Sequence, residues 1–311
     1  MLKITNGLDI PKPIVIPTPS LQINRLLGGG LWTDRIHTFW GNSGGGKTTF
    51  LLNLMATAQS MGFTPVIIDS EGTVTNDYLV KCGIDTSKGN IRYLPHANFL
   101  EDIENTVLPM MREPDSKYVF LFDSINGIIK EAFFKEDDKT GGMALYARSQ
   151  NELAMKLSGH LTPNHLVLFV SQITVQLGGL VSPTVGKYSN SVEHFSTNII
   201  KLWASGAQKT TERDDAGMIE AYDVLWTITK SKQAPVRGAT GNYTFYPALA
   251  EIDSNQELID LAGMYGIIDS SSKGWYGYGG DKMRRSELVE ILSDPDERQK
   301  ILDTVESMSD A

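Results

Sequence analysis

The sequence predicts an α/β fold: a mostly parallel, helix-flanked sheet followed by a small α+β C-terminal domain. Three observations predict it. The apolar runs "TPVIID" (64–69), "KYVFLFDS" (117–124) and "HLVLFVSQ" (165–172) are continuous rather than alternating, as strands buried on both faces are. Helix-length stretches separate them, the order of βαβ units. A glycine-rich loop, "GNSGGGKT" (41–48), lies between one strand-like run and a helix-like one.

The elements follow in order. Pro11, Pro13, Pro17 and Pro19 exclude a helix from the first twenty residues, which read as an extended arm. Within that arm "KPIVIP" is a candidate strand for the sheet edge of a neighbouring subunit. "RIHTFWG" is a strand entering the glycine loop, and "TTFLLNLMATAQSMG" a helix stopped at Gly62. "NDYLVKCG" is a short helix closed by Gly83, "NFLEDIENTVLPMMR" another helix, and "MALYARSQNELAMKLSGHL" a long amphipathic one. From "IKLWASG" to "NYTFYPAL" the chain reads as strands and turns, an antiparallel extension of the sheet. From residue 253 it returns to helices around the aromatic turn "GWYGYGG". The expected divisions are an arm at 1–20, a core at 21–252 and a small C-terminal domain at 253–311.

Composition narrows the class. With 41% hydrophobic and 21% charged residues the 311-residue chain is globular, not disordered. No apolar stretch reaches the roughly 18 residues that span a bilayer, and the first residues do not read as a secretory signal. A single cysteine, Cys82, excludes an intrachain disulfide framework and suits a reducing, cytoplasmic setting. The net charge of −9 argues against a nucleic-acid partner only on average. Eight of the acidic residues, against two basic ones, fall in 286–311, so a groove elsewhere can be neutral or positive.

The chemistry starts at the glycine loop, which matches G-x-x-x-x-G-K-[ST]. The backbone N–H groups of Gly41, Asn42, Ser43, Gly44, Gly45 and Gly46 can wrap phosphates. Lys47 can reach the β and γ oxygens, and Thr48, followed by Thr49, can ligate Mg²⁺. Such a loop calls for an acid at the end of another buried strand, and "YVFLFDS" supplies Asp123 with Ser124 beside it. Hydrolysis of ATP needs a group that orients water. "VIIDSEG" ends a strand with Asp69 and Glu71, either of which could instead cap the next helix. "SQITVQLGGLVSPTVGKYSNS" (171–191) is a long, almost uncharged loop after a buried strand, and such loops are usually functional or disordered. Gln172 at its start can bond a phosphate oxygen. Lys230 and Lys232 alternate along a strand and so share a side.

Taken together, these segments resemble the RecA family of recombination ATPases from about residue 20 to 275. "SLQINRLLGGGLWTDRIHTFWGNSGGGKTT" resembles its entry strand and P-loop, and "IIDSEGTVTNDYLVKCGID" its "FIDAE…Y…LGVD" stretch. "FLFDSINGI" is similar to its "VVDSVAAL", and "LVLFVSQI" to the strand before its second DNA loop. The resemblance implies a RecA-like P-loop NTPase core using ATP and Mg²⁺. It implies Glu71 as the water-activating glutamate, Tyr78 on the adenine, and Gln172 as the γ-phosphate sensor that orders the loop behind it. Leu177 would be the aliphatic wedge between base triplets, followed by Gly178 and Gly179. Ile173, Arg148 and Lys187 would face single-stranded DNA, which is then paired with homologous double-stranded DNA. Lys230 and Lys232 would cross to a neighbour's γ-phosphate in a homo-oligomer, with no membrane involved.

The chain departs from the family pattern in places. Thr174 and Gln176 stand where bacterial members carry basic residues, Met155 where one carries arginine, and Thr75 where an aspartate contacts adenine. A ring-forming RecA-fold helicase or translocase is the alternative expectation, with Arg237 as a possible arginine finger. A non-hydrolysing nucleotide-gated assembly is a third, which Lys47, Glu71 and Asp123 together disfavour.

Overall fold

A computed structural model describes residues 11–87, 89–134, 142–175, 184–204, 212–213, 219–272 and 274–309. The arm contributes β1 (Val15–Ile16), which pairs antiparallel with β2 (Leu31–Trp32) of the same chain. Val15 and Ile16 of "KPIVIP" thus pair within their own chain. The chain doubles back through Gly28, Gly29 and Gly30, all at positive φ. A Cβ on Gly30 would stand 2.2 Å from the Ile16 carbonyl oxygen, so glycine is what allows the arm to fold onto its own turn. Between the two strands lies α1 (Leu21–Leu26), capped by the Ser20 hydroxyl, which accepts from Ile23 N–H.

The core then alternates as expected. It runs β3 (Arg35–Trp40), α2 (Lys47–Ser60), β4 (Thr64–Asp69), α3 (Asn76–Lys81), β5 (Arg92–Pro95), α4 (Leu100–Met110) and β6 (Tyr118–Asp123). A 3₁₀ turn at Ile125–Gly127 and α5 (Glu131–Phe134) lead to α6 (Gly142–Ser158) and β7 (His165–Ser171). A hairpin of β8 (Ile173–Val175) and β9 (Thr184–Gly186) follows, then α7 (Asn190–Phe195), β10 (Ser196–Ala204) and β11 (Glu212–Arg213). The long β12 (Ile219–Ser231), β13 (Thr240–Tyr246) and β14 (Glu251–Asp253) complete the core.

The strand order is β14-β13-β12-β10-β3-β7-β6-β4-β5, with β11 paired to β12. From β10 to β5 every pairing is parallel, and β12, β13 and β14 extend the sheet antiparallel. This is the mostly parallel, helix-flanked α/β sheet that the sequence predicts.

Two apolar layers cover the sheet. One joins α2 and the arm to Phe39, Leu121, Leu168, Trp226 and Tyr243, and the other joins α4, α6 and α7 to Phe120, Phe122 and Phe169. In α2, Phe50, Leu51, Leu52, Leu54 and Met55 are all fully buried, so this helix is apolar on nearly every side. Each such side chain stabilises the fold by about 1.5–3 kcal/mol. That anchors the glycine loop at its N-terminal end.

The C-terminal stretch comprises α8 (Asn255–Met264), a meander of β15 (Asp269–Ser272), β16 (Trp275–Tyr278) and β17 (Asp281–Met283), then α9 (Arg285–Ile291) and α10 (Pro295–Ser309). Leu258, Ile259, Leu261, Ile268, Leu288, Leu292 and Ile301 form its own apolar cluster, against which Leu21 of α1 packs. Among the described residues, no helix is long and apolar enough to cross a membrane.

Candidate functional site

In a parallel sheet the C-terminal strand ends share one edge, and ligands bind there. At that edge a cleft of about 580 Å³ is lined by Gly41, Ser43–Gly46, Lys47, Thr48, Thr49, Glu71, Tyr78, Asp123, Gln172 and Ile173, with Tyr222, Phe245 and Pro247. Trp40 ends β3, and the loop beyond it turns directly into α2. Gly46, at φ 72°, precedes α2 without any side-chain cap, which leaves the first N–H groups of a fourteen-residue helix open to an anion. Around Gly44, also at positive φ, nothing lies within 4 Å of where a Cβ would stand. Gly41 is glycine for a different reason: a Cβ there would lie 1.7 Å from the Leu202 carbonyl oxygen.

Lys47 is almost fully buried, and its ammonium donates to the carbonyls of Gly41 at 3.1 Å and Asn42 at 2.7 Å. Burial lowers its pKa, against the pull of Asp123 and Glu71. The Thr48 hydroxyl donates to Asp123 Oδ2 at 2.6 Å. Burial pushes the Asp123 carboxyl up to about 6; the Thr48 bond opposes this and the charges of Glu71 and Asp69 add to it. A cation beside Asp123 restores the ionised form.

These two oxygens suit Mg²⁺, which takes one or two protein ligands and completes its shell with phosphate and water. Among the described residues no group of three His, Cys, Asp or Glu gathers as a metal site, so a cation here depends on the nucleotide's oxygens.

Glu71 faces the same cleft. Its Oε1 accepts from Ser124 Oγ at 3.1 Å and from Gln172 Nε2 at 2.8 Å. Tyr78 and Thr49 bond through their hydroxyls on the opposite wall. Thr75 caps α3 by accepting from Tyr78 N–H, so its hydroxyl is engaged within the backbone. Asn42 turns away from the cradle and exchanges two hydrogen bonds with the backbone of Ala204.

The remaining candidates lie elsewhere. Arg148 is exposed on α6, beside a groove shared with Met155, Lys156, His194 and Phe195. Lys230 and Lys232 do stand on one side, outside this chain's own cleft. The Lys232 ammonium reaches the His194 carbonyl, and that of Lys230 the carbonyls of Glu193 and His194, at the C-terminal end of α7. Lys187 is exposed directly after β9. Leu177, Gly178 and Gly179 lie outside the described residues.

Sequence reasoning missed four contributors. Asp69 carries more than a helix cap: its carboxylate accepts from the N–H groups of Glu71, Gly72 and Val74 and from the Tyr93 hydroxyl, fixing the loop that presents Glu71. Tyr222 donates to the Gly44 carbonyl at 2.7 Å and packs edge-on to Phe245. Asn126 bonds to Gln172 N–H at 2.6 Å and to the Lys187 carbonyl. Asp69 carried a signal, an acid two residues before Glu71; Tyr222, Phe245 and Asn126 come from segments that only the fold brings to the cleft.

A family model described as the RecA N-terminal domain matches residues 7–242. Protein RecA of Geobacter sulfurreducens is 27% identical over 281 residues, covering 88% of this chain and 78% of that protein. Protein RecA of Pseudomonas savastanoi pv. phaseolicola is 26% identical over 293 residues, covering 93% and 79%. With the glycine loop, Asp123, Glu71 and Gln172 converging at one sheet edge and a family model spanning most of the sequence, this chain belongs to the RecA family.

Proposed function

We propose that this protein is a cytoplasmic, ATP-dependent DNA recombinase that binds single-stranded DNA as a nucleotide-gated homo-oligomer and pairs it with homologous double-stranded DNA. The observation that carries the reading is the bridge from Gln172 to Glu71. One residue joins the end of the strand beside the nucleotide cleft to the start of the long loop's hairpin. A γ-phosphate that competes for the Gln172 amide changes the start of that loop.

In this reading the N–H groups of 44–49 and Lys47 hold the phosphates, Thr48 and Asp123 hold Mg²⁺, and Tyr78 packs on the base. Mg²⁺, when bound there, would supply charge neutralisation on the nucleotide's phosphates. Glu71 orients a water against the γ-phosphorus and takes its proton as the new P–O bond forms. The bond to the β-phosphate oxygen then breaks, leaving ADP and phosphate. Ile173, Leu177, Gly178, Gly179, Lys187 and Arg148 contact the strand, largely through backbone amides where charge is sparse. Lys230 and Lys232 reach a neighbour's γ-phosphate.

Electron microscopy with a slowly hydrolysed ATP analogue, Mg²⁺ and single-stranded DNA tests the proposal. Helical filaments that require both nucleotide and DNA are expected. Closed rings would favour a motor, and no assembly would sink the reading.

A further inference from the structure

The end of β6 and the turn after it touch the phosphate loop, Glu71 and the long loop within four consecutive residues. Asp123 accepts from Thr48 of the phosphate loop, and Ser124 Oγ donates to Glu71. Asn126, 8% exposed, uses both ends of its carboxamide on the long loop. Its Oδ1 accepts from Gln172 N–H at 2.6 Å, and its Nδ2 donates to the Lys187 carbonyl. Lys187 N–H donates back to the Gln172 carbonyl at 2.7 Å, which closes a ring across the two edges of the loop's neck. β8 and β9 extend from that ring, with Ile173 paired to Gly186.

The turn itself is held firmly. Ser70 Oγ bonds to both the N–H and the carbonyl of Ser124, and a Cβ on Gly127 would stand 2.6 Å from that hydroxyl. Gln150 of α6 spans from the Ile125 carbonyl to Ser189 N–H, two residues beyond the neck. A fixed turn therefore grips a hairpin whose preceding residue, Gln172, also bonds Glu71.

Resting on the recombinase reading above, we propose that Asn126 is a positioning residue that pins both edges of the loop neck, so that a change at the Gln172–Glu71 contact moves β8 and β9 together. Without it, Gln172 can respond to nucleotide while the Lys187 edge stays behind. Asparagine suits the task because a single planar group offers one acceptor and one donor in opposite directions. Aspartate has the same shape but only acceptors: it keeps the Gln172 edge and repels the Lys187 carbonyl.

The test compares the full chain with Asn126→Asp and Asn126→Ala. It uses hydrogen exchange across 171–175 and 184–188 with and without ATPγS and Mg²⁺, with thermal melts to establish folding. The proposal expects Asn126→Asp to keep Gln172 N–H protected, while Lys187 N–H, whose bond to the Gln172 carbonyl is no longer backed by a donor on its own carbonyl, opens and exchanges about tenfold faster. Asn126→Ala should release both. With exchange read at a pH where the new carboxyl is ionised, a folded Asn126→Asp whose Lys187 exchange matches the parent overturns the proposal, since an ionised aspartate has no donor for the Lys187 carbonyl. So does Asn126→Ala with both edges still protected. Binding of a fluorescein-labelled oligothymidylate is read alongside. The gain in affinity on adding ATPγS should shrink about tenfold in both variants. A parent protein that shows no nucleotide-dependent oligothymidylate binding defeats the recombinase reading, while hydrogen exchange still decides the role of Asn126.

Discussion

Gln172 Nε2 donates to Glu71 Oε1 at 2.8 Å, so the side chain that starts the long loop and the carboxylate proposed to activate water hold each other across the cleft. Under the proposed function, a γ-phosphate entering between them would separate the pair, and Glu71 would serve as both base and latch.

Glu71→Ala removes both roles and leaves the phosphate cradle and the Tyr78 wall intact. Loss of a general base typically costs 10²–10⁴-fold, so turnover should fall by at least about a hundredfold. Affinity for a fluorescent ATP analogue should stay within about threefold, because the proposed role sets Glu71 against the attacking water rather than the ligand phosphates. Retained hydrolysis would remove Glu71 from its role.

Gln172→Ala should separate the two functions. Gln172 bonds to Asn126, Glu71 and Lys187, outside the phosphate loop, so a basal ATPase rate should remain measurable, while the increment on adding single-stranded DNA should fall by about tenfold or more. An unchanged increment would show that the loop and the nucleotide communicate by another route.

Much of this was legible in the sequence because short-range rules governed it. The continuous apolar runs ending at Asp69, Asp123 and Ser171 signalled buried parallel strands, and the G-x-x-x-x-G-K-[ST] spacing of 41–48 signalled a glycine turn from strand into helix. Tyr222, Phe245 and Asn126 were not legible. Their chemistry depends on which strand ends the sheet order brings together, and β12 and β13 reach the cleft only by pairing outward from β10. The pairing of the arm was not legible for the same reason. Val15 and Ile16 have strand chemistry, but their partner was decided by the glycine turn at 28–30.

Gly41→Ala tests the close approach directly. The new methyl would collide with the Leu202 carbonyl oxygen at 1.7 Å, and backbone on both sides leaves little room to yield. The phosphate loop must shift, and because each hydrogen bond to a charged oxygen contributes about 1.5–3 kcal/mol, ATP affinity should drop at least about tenfold. Isothermal titration of ATP with Mg²⁺ reads the loss; wild-type affinity would mean the loop accommodates the methyl.

Lys230→Ala combined with Lys232→Ala removes both ammonium groups from the C-terminal carbonyls of α7. Cations at a helix end contribute about 0.3–1 kcal/mol each, so the monomer should remain folded with a small drop in melting temperature. Assembly driven by ATP should be lost if the pair reaches a neighbour's phosphate. Analytical ultracentrifugation with and without nucleotide separates the two effects, and equal assembly by variant and parent would end the interface role.

Glu257 gives the fold a pH dependence of its own. Its fully buried carboxylate accepts from Ser20 Oγ and Leu21 N–H, both at 2.7 Å, joining α8 to the start of α1. Burial raises its pKa from 4.5 to about 7, outweighing those donors, which favour the ionised form. The folded pKa lies above the unfolded one, so the folded state holds the proton more tightly. The stabilisation is therefore complete below about pH 4.5 and is lost as pH rises through about 7. At about 1.4 kcal/mol per unit the window corresponds to about 3 kcal/mol. Glu257→Gln stays neutral throughout and keeps one acceptor oxygen. Urea denaturation of both proteins should show the parent losing stability relative to the variant by about that amount between about pH 5 and about pH 8. A gap that stays constant with pH would mean that Glu257 is not the titrating group at this junction.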